Sequence, residues 1–356
     1  RFWFTRAADS GNADAQYQTA AMISKGMGGL RDEALATSYY EKALHSWQKE
    51  AEAGDPKAAL WVGLLYERKL VPGSSPEKSV PWLTRAAEHG NLTAQGLLGF
   101  KYRDGLGVPR DANWAVQWFE KAAQQKDLGA VMELGIMYRD GKYVPRDMEK
   151  ARKWFEKGAE WKDPYSMAAL ADMLLEDSPS GEHAARALAL YREAAAIGYA
   201  PAALKAAELL QNGKGGELDA DEAYRLLRRV VDATGNPKGM YMLAQLYYAR
   251  GDEAQGDSLM KASAQAAYLP AMNRMARLHL LPDSSLAWNP VLSYYYWSQA
   301  GELGDEGAAS AASWLLWGSL AVLSLVIFLV VWRFHRFAVR RLAEQQKQEQ
   351  AGSDDA

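Results

Sequence analysis

The sequence contains no cysteine, and it lacks the short motifs that mark most catalytic and nucleotide-binding sites. Without cysteine there is no disulfide framework, no thiolate metal site and no thiol nucleophile. The five histidines are not spaced like metal ligands, and neither a Gly-x-Ser-x-Gly motif nor a phosphate-binding glycine loop is present. These absences predict a protein that is not an enzyme and that holds no metal or cofactor.

The sequence also lacks an excess of basic residues. There are 41 lysines and arginines against 44 acidic residues, which gives a net charge of −3 at pH 7, and the first 305 residues show no basic stripe. Because a nucleic-acid-binding surface needs a concentrated basic patch, nucleic acid is not expected as a partner.

A tryptophan-containing segment recurs at a spacing of 36 residues and begins at Trp82, Trp118 and Trp154. A weaker copy, with tyrosine in the aromatic position, begins at Tyr191. Fixed periods of about 20–50 residues are typical of proteins built from stacked supersecondary units. Such proteins usually present extended surfaces to other molecules, which favours a binding function.

Each unit contains two predicted helices joined by a loop. Ala94, Leu98 and Tyr102 follow one another at intervals of four residues, so they share one face of the first helix. A glycine follows the aliphatic position in three consecutive units, at Gly63, Gly99 and Gly135. Because glycine inside a helix costs roughly 1 kcal/mol relative to alanine, its recurrence indicates the close approach of a neighbouring helix.

The loop between the two helices has its own pattern. Gly105 and Gly141 are predicted to end the first helix in the left-handed conformation. Asp111 and Asp147 are predicted to cap the second helix by accepting hydrogen bonds from its free amides.

The combined pattern A-x-x-x-L-G-x-x-Y, then G-x-G-V-P-x-D, then W-F-x-K-A-A-x-x-G resembles the SEL-one-like repeat, a longer-loop relative of the tetratricopeptide repeat. The resemblance covers residues 1 to about 305 and is strongest between Pro56 and Asp163. It implies an all-α solenoid of about eight helix pairs over residues 1–305, whose first helices line the concave side.

One segment differs in composition from the repeats. After a predicted short linker at 306–312, residues 313–332 form a 20-residue run without charge, SWLLWGSLAVLSLVIFLVVW. As a helix this run would be about 30 Å long, the thickness of a bilayer's hydrocarbon core. Trp314 and Trp317 at one end and Trp332 at the other are placed like interfacial anchors. The chain is therefore predicted to contain a single C-terminal transmembrane helix.

The flanking charges predict its direction. Arg333 and Arg336 follow the run at the start of a basic and then disordered tail over 333–356, whereas acidic residues precede it. Because positive residues stay on the cytoplasmic side, the protein is expected to cross a bacterial inner membrane once. Its repeats would then be periplasmic and its tail cytoplasmic.

An aromatic run, Tyr294-Tyr295-Tyr296-Trp297, lies shortly before this segment. It is consistent with two roles. The side chains either close the core of the last repeat or rest at the membrane surface as an aromatic collar.

Two variable columns on the first helices predict the partner-binding residues. They lie three residues apart and so share one helix face. One column comprises Trp61, Leu97, Glu133, Ala169, Lys205, Met242 and Arg274, and the other comprises Leu64, Phe100, Ile136, Asp172, Glu208, Gln245 and Arg277. A groove lined by them would be apolar early and charged late, and its apolar part would suit a hydrophobic anchor of a partner. Packing of these residues between helices is the alternative.

These features predict a membrane-anchored, noncatalytic scaffold whose periplasmic groove binds proteins of the membrane or envelope, in envelope, secretion or exopolysaccharide assembly. A glycan- or peptidoglycan-binding module is one alternative, because aromatic faces in a groove stack on sugars. A lumenal adaptor of membrane protein quality control is another, because the resembled family includes such a protein.

Overall fold

The computed structural model describes residues 1–216, 218–280, 286, 288–319, 329, 333 and 336. All regular secondary structure within these residues is helical, and no strand occurs among them. Over residues 2–196 and again over residues 220–302, helices that follow one another along the chain pack against each other, as in a helical repeat protein. The all-α part of the predicted fold class is therefore confirmed.

The chain divides into two compact units. Unit 1 comprises Arg1–Ala202 and Lys214–Gly216, and unit 2 comprises Ala203–Gly213 and Glu217–Ala356. The helices of unit 1 are α1 (Phe2–Asp9), α2 (Ala13–Ser24), α3 (Glu33–Glu52), α4 (Pro56–Glu67), α5 (Pro76–Glu88), α6 (Leu92–Asp104), α7 (Ala112–Gln124), α8 (Leu128–Asp140), α9 (Met148–Glu160), α10 (Pro164–Asp177) and α11 (Gly181–Ala196).

The division between the units falls inside α12 (Ala200–Asn212). The further helices of unit 2 are α13 (Ala220–Thr234), α14 (Pro237–Ala249), α15 (Glu253–Gln265), α16 (Leu269–Leu278), α17 (Pro290–Glu302) and α18, which covers residues 306–319.

The helix ends follow the local sequence signals. Gly105 and Gly141 end α6 and α8 in the left-handed conformation, with φ of 76° and 66°. Asp111 caps α7 by accepting from the backbone amides of Asn113 and Trp114, and Asp147 caps α9 in a similar way. The predicted caps and stops are confirmed, because they depend on contacts within a few residues.

The helical glycines of unit 1 lie where a large side chain of the second helix crosses the first. A Cβ on Gly63 would stand 2.7 Å from Leu83 Cδ2, and one on Gly99 would stand 2.5 Å from Phe119 Cε1. Gly135 faces the ring of Phe155 in the same way. The predicted close approach is therefore confirmed at all three glycines.

The predicted membrane span lies largely outside the described residues. Of residues 313–332 only 313–319 and 329 are described, and Trp332 is not among them. Within the described part of the chain, no helix combines the length and hydropathy needed to cross a bilayer. Residues 306–312, predicted to be a short linker, are helical and form the first half of α18.

The aromatic run of α17 divides between core and surface. Tyr296 is buried in the core of unit 2, where it stacks on the imidazole of His279, and Trp297 packs against the same core. Tyr295 is exposed. Closure of the last repeat therefore uses part of the run, and the remainder lies on the surface.

Two glycines of α6 give a matched test of the packing. We expect Gly96→Ala to stabilise the protein by up to about 1 kcal/mol, because nothing lies within 4 Å of the added methyl group and alanine favours the helix. Gly99→Ala gains the same propensity but overpacks against Phe119, which costs about 1–3 kcal/mol. Urea unfolding followed by circular dichroism should therefore place the G99A midpoint below that of G96A. Equal midpoints would contradict the proposed packing.

Candidate functional site

The predicted partner-binding columns form a surface on the first helices of unit 1, which we call the first-helix face. On α4, α6 and α8 it comprises Trp61, Leu64, Leu97, Phe100, Glu133 and Ile136. Each of these side chains is half-buried, with its inner part against the core and its outer part accessible. The face is therefore apolar over five of six positions and is partly accessible to solvent.

Trp61 is held by an aromatic cluster on α2, α3 and α4. Its indole stacks on Trp47, with ring centroids 5.3 Å apart and planes at 12°, and lies 5.2 Å from the ring of Tyr17. Arg68 donates a hydrogen bond to the Tyr17 hydroxyl over 3.0 Å. Because Trp47 covers one face of the Trp61 indole, a ligand can reach only the parts of the ring that Trp47 leaves uncovered.

Phe100 is held between its own repeat and the next. Its ring packs edge-on against Phe119, with centroids 5.1 Å apart, and the Arg103 guanidinium lies 4.9 Å from its centre. The same guanidinium lies 5.5 Å from the ring of Tyr143. Arg103 therefore contacts two aromatic rings, which contributes roughly 0.5–1 kcal/mol per contact at such partly exposed positions.

Two carboxylates fix the orientation of Arg103. Its Nε and Nη2 donate to Asp104 over 2.9 and 2.8 Å, and Nη1 donates to Glu133 Oε2 over 2.5 Å. The hydrogen bond with Asp104, helped by the charge of Glu133, raises the pKa of Arg103. The same hydrogen bond lowers the pKa of Asp104. The Tyr143 hydroxyl also donates to Asp104, over 3.5 Å. Glu133, predicted to face a partner, is thus engaged by a residue of the preceding repeat.

A second charged pair links the same series of helices. Lys101 is almost fully buried, and its ammonium contacts Glu67 on α4. Glu67 also accepts a hydrogen bond from Ser79 on α5 over 2.9 Å. Ion pairs therefore connect α4 to α6 and α6 to α8, and they hold the first-helix face in one arrangement.

Two residues of the first column lie in the core instead, and one residue of the second is engaged within its own helix pair. Ala169 and Met242 are buried, and the Tyr191 hydroxyl donates to Asp172 over 2.5 Å within the α10–α11 pair. The expectation that these positions face a groove is wrong for Ala169 and Met242. Equal spacing along a helix does not ensure equal exposure, because neighbouring helices differ in how much of each face they cover.

In unit 2 the remaining predicted residues are polar and largely solvent-facing. Lys205, Gln245, Arg274 and Arg277 are exposed, whereas Glu208 is half-buried, with Lys238 Nζ 3.6 Å from its carboxylate. Their role in partner binding stays a prediction. Among the described residues, no group of three or more His, Asp or Glu side chains converges as a metal site would require.

Sequence reasoning missed four residues that shape the face: Tyr17, Trp47, Arg103 and Tyr143. One signal was available, because an Arg-Asp pair closes the first helix at Arg103-Asp104 and again at Arg139-Asp140. Arg139 Nε donates to Asp140 over 2.7 Å, which repeats the local contact. The longer contacts of Arg103 with Glu133 and Tyr143 depend on the stacking of repeats and have no local signal.

The two Arg-Asp pairs provide a matched test of this cluster. Arg103→Met removes charge-assisted bonds to Asp104 and Glu133, and we expect a loss of about 1.5–3 kcal/mol of unfolding free energy. Arg139→Met removes a bond to the adjacent, half-exposed Asp140 and an interaction with the neutral Tyr165, and it should cost less than about 1 kcal/mol. Urea unfolding measures both values. Similar losses for R103M and R139M would show that the ion pair of Arg103 with Glu133 contributes little.

The lowered pKa of Asp104 predicts a dependence on pH. Its carboxylate stabilises the fold above the ordinary aspartate pKa of about 3.9, and that contribution is lost as the pH falls through the lower pKa of the folded state. The stability difference between wild type and Asp104→Asn should therefore shrink between about pH 5 and about pH 3. Urea midpoints across this range measure the difference, and a constant value would contradict the role of Asp104.

The fold and the surface can be compared with known proteins. The family model of the Sel1 repeat matches residues 1–12, 13–45, 56–91, 92–127, 129–160, 164–199, 200–231, 237–259 and 269–305. No protein with a curated function matches the chain significantly in sequence.

Two solved structures share the repeat architecture. The protein c5321 from uropathogenic Escherichia coli, described as a protective antigen with an SLR fold, is 25% identical with a TM-score of 0.68, and the match covers 87% of this chain and 66% of that one. A Sel1 repeat protein from Oxalobacter formigenes is 24% identical with a TM-score of 0.66, covering 88% and 89%. The chain thus spans about two thirds of the length of the E. coli protein.

The family model matches most of the chain, including every helix pair from α4–α5 to α10–α11, and the predicted resemblance is confirmed. This chain belongs to the Sel1 repeat family.

Proposed function

We propose that this protein is a noncatalytic, membrane-anchored scaffold whose first-helix face binds protein partners of the bacterial envelope. The observation that supports the proposal is the set of half-buried apolar side chains on three consecutive first helices: Trp61, Leu64, Leu97, Phe100 and Ile136. Apolar side chains that stay accessible on a repeated helix face are typical of protein-interaction sites. Sel1 repeats generally mediate protein–protein interactions, which is consistent with this use of the surface.

The geometry of the face suits an apolar anchor from a partner. Trp61 and Phe100 are both held in place by other rings, so they lose little conformational freedom when a partner binds. Buried aromatic side chains of this kind often dominate the binding energy of an interface. The Arg103 cluster places a polar, hydrogen-bonded group beside them and supplies directional contacts.

The membrane anchor is proposed from the sequence. The charge-free run at 313–332 and the arginines that follow it support a single-pass topology in the inner membrane, with periplasmic repeats and a cytoplasmic tail. Such an anchor confines the repeats to the membrane surface and raises their effective concentration near membrane partners. Assembly of the envelope, secretion and exopolysaccharide export are processes that would use such a scaffold.

The glycan alternative has less support at Trp61. A sugar stacks on an open indole face, and because Trp47 covers one face of this ring, only the other face remains for a sugar. The adaptor role in membrane protein quality control stays a prediction.

A photocrosslinking experiment tests the proposal on the full chain in membranes. We expect a benzoylphenylalanine probe in place of Leu97, on the first-helix face, to crosslink a distinct membrane or envelope protein. The matched control places the same probe at Trp114, which is exposed on the second helix α7. The crosslinked products are recovered from detergent-solubilised membranes and identified by mass spectrometry.

Three results would count against the proposal. Identical products at Leu97 and Trp114 would show that the first-helix face is not selective. The absence of protein products at Leu97, together with retention on purified cell-wall sacculi, would favour the glycan alternative. Release of the protein from membranes by alkaline carbonate would contradict the integral anchor.

A further inference from the structure

The second half of α18 extends beyond the core of unit 2, whereas its first half is docked there. Asp305 accepts from the amide of Ala308 over 2.9 Å, and Asn273 of α16 donates to the other Asp305 oxygen over 2.7 Å. Ala308 and Ala312 are buried. A Cβ on Gly301 would stand 2.8 Å from Ala309 Cβ, so α17 and α18 pack closely at their shared turn. Residues 306–312 are therefore part of the folded unit.

Past Ala312 the described side chains of α18 face solvent, except that of Leu315, which is half-buried. Trp314 is 81% exposed and Trp317 is 69% exposed, and Leu316 between them is exposed as well. Trp314 and Trp317 are three residues apart, so they lie on the same side of the helix. A helix segment with this much exposed apolar surface requires a cover in its working state.

The first half of α17 presents a similar surface. Val291 is 73% exposed and Tyr295 is 53% exposed, and Trp288 just before the helix is also exposed. The chain reverses between α17 and α18, which pack against each other at Gly301 and Ala309. Val291 precedes Gly301 by ten residues and Ser319 follows Ala309 by ten residues. Because every helical residue adds the same rise of about 1.5 Å, Val291 and Ser319 lie at the same end of this helical hairpin. We call this end, with Trp288, Val291, Tyr295, Trp314 and Trp317, the aromatic end.

Charge separates the two ends of the hairpin. Glu302 and Glu306 are exposed beside the turn, at the end opposite the aromatic end. Beyond the aromatic end, the sequence continues without a charged residue until Arg333. An apolar surface rich in tryptophan and tyrosine, adjacent to a long uncharged run, has the composition found at the interface between a bilayer's headgroups and its hydrocarbon core.

We propose that the aromatic end docks onto the interfacial layer of a lipid bilayer and holds unit 2 in a defined orientation on the membrane. This inference rests on the proposed membrane anchor. The docked first half of α18 supports it, because unit 2 enters the predicted span through a packed helix instead of a flexible linker. Unit 2 therefore has limited freedom to tilt, and its acidic turn points away from the bilayer.

The absence of cysteine allows a direct test on the full chain. Single cysteines are introduced by Val291→Cys, Leu303→Cys and Ser319→Cys, labelled with the fluorophore NBD, and reconstituted in vesicles of phosphatidylcholine and phosphatidylglycerol. Leu303 is the matched control, because it is 53% exposed like Tyr295 but caps α17 at the opposite end. Ser319 reports on the predicted span.

We expect lipids with a nitroxide near the headgroup to reduce the emission of the labels at positions 291 and 319 about twofold, and to affect the label at 303 far less. Quenching at 319 with equal, weak quenching at 291 and 303 would overturn the docking and leave the anchor standing. Weak quenching at all three positions would overturn both. A blue-shifted emission at 291 that does not respond to the nitroxide lipids would identify a protein cover and would also overturn the docking.

Discussion

The architecture of unit 1 depends on the contact between a glycine of each first helix and a large apolar side chain of the second. Because glycine has no side chain, Leu83, Phe119 and Phe155 can pack directly against the first helix, at Gly63, Gly99 and Gly135 respectively. All three large side chains are fully buried. This contact sets how closely the two helices approach, and it therefore decides which side of the first helix stays outside the core.

The first-helix face is a consequence of that packing. Its aromatic side chains pack against other rings: Phe100 contacts Phe119, and Trp61 stacks on Trp47. Ion pairs between successive first helices, Lys101 with Glu67 and Arg103 with Glu133, restrict sliding of one repeat past the next. The face is thus organised in the protein by itself, which would lower the entropic cost of binding the proposed partner.

The two parts of the proposed function, partner binding and membrane orientation, depend on different interactions. Binding on unit 1 depends on side chains whose positions are determined by repeat packing. The proposed orientation on a membrane would depend on unit 2, where α18 is docked through Asp305 and Ala308 before its exposed apolar residues begin. A helix that begins inside a folded unit transmits the orientation of that unit more faithfully than a flexible linker would.

Sequence periodicity drew attention to the tryptophans at 82, 118 and 154, but the residue after each of them makes the interlocking contact. Trp118 is buried, with Lys121 Nζ 4.0 Å from the centre of its ring, whereas Trp82 and Trp154 are only half-buried. The recurring tryptophan therefore reveals the repeat, but it does not show whether the tryptophan or the residue after it fills the core. Both residues are apolar, and only the way the two helices cross decides which one is buried.

The sequence by itself determined the helix pairs, their caps, the glycine stops and the close approach at the helical glycines, because these features depend on interactions within a few residues or on a repeated spacing. Only the tertiary structure decided that Arg103 joins Glu133, that Asp172 is engaged by Tyr191, that Ala169 and Met242 are buried, and that residues 306–312 belong to a docked helix. The reason is that the exposure and the partners of a residue depend on which side chains the neighbouring helices place against it. Residues 19 to 30 positions apart along the chain meet in these contacts, and local periodicity does not predict which of them meet.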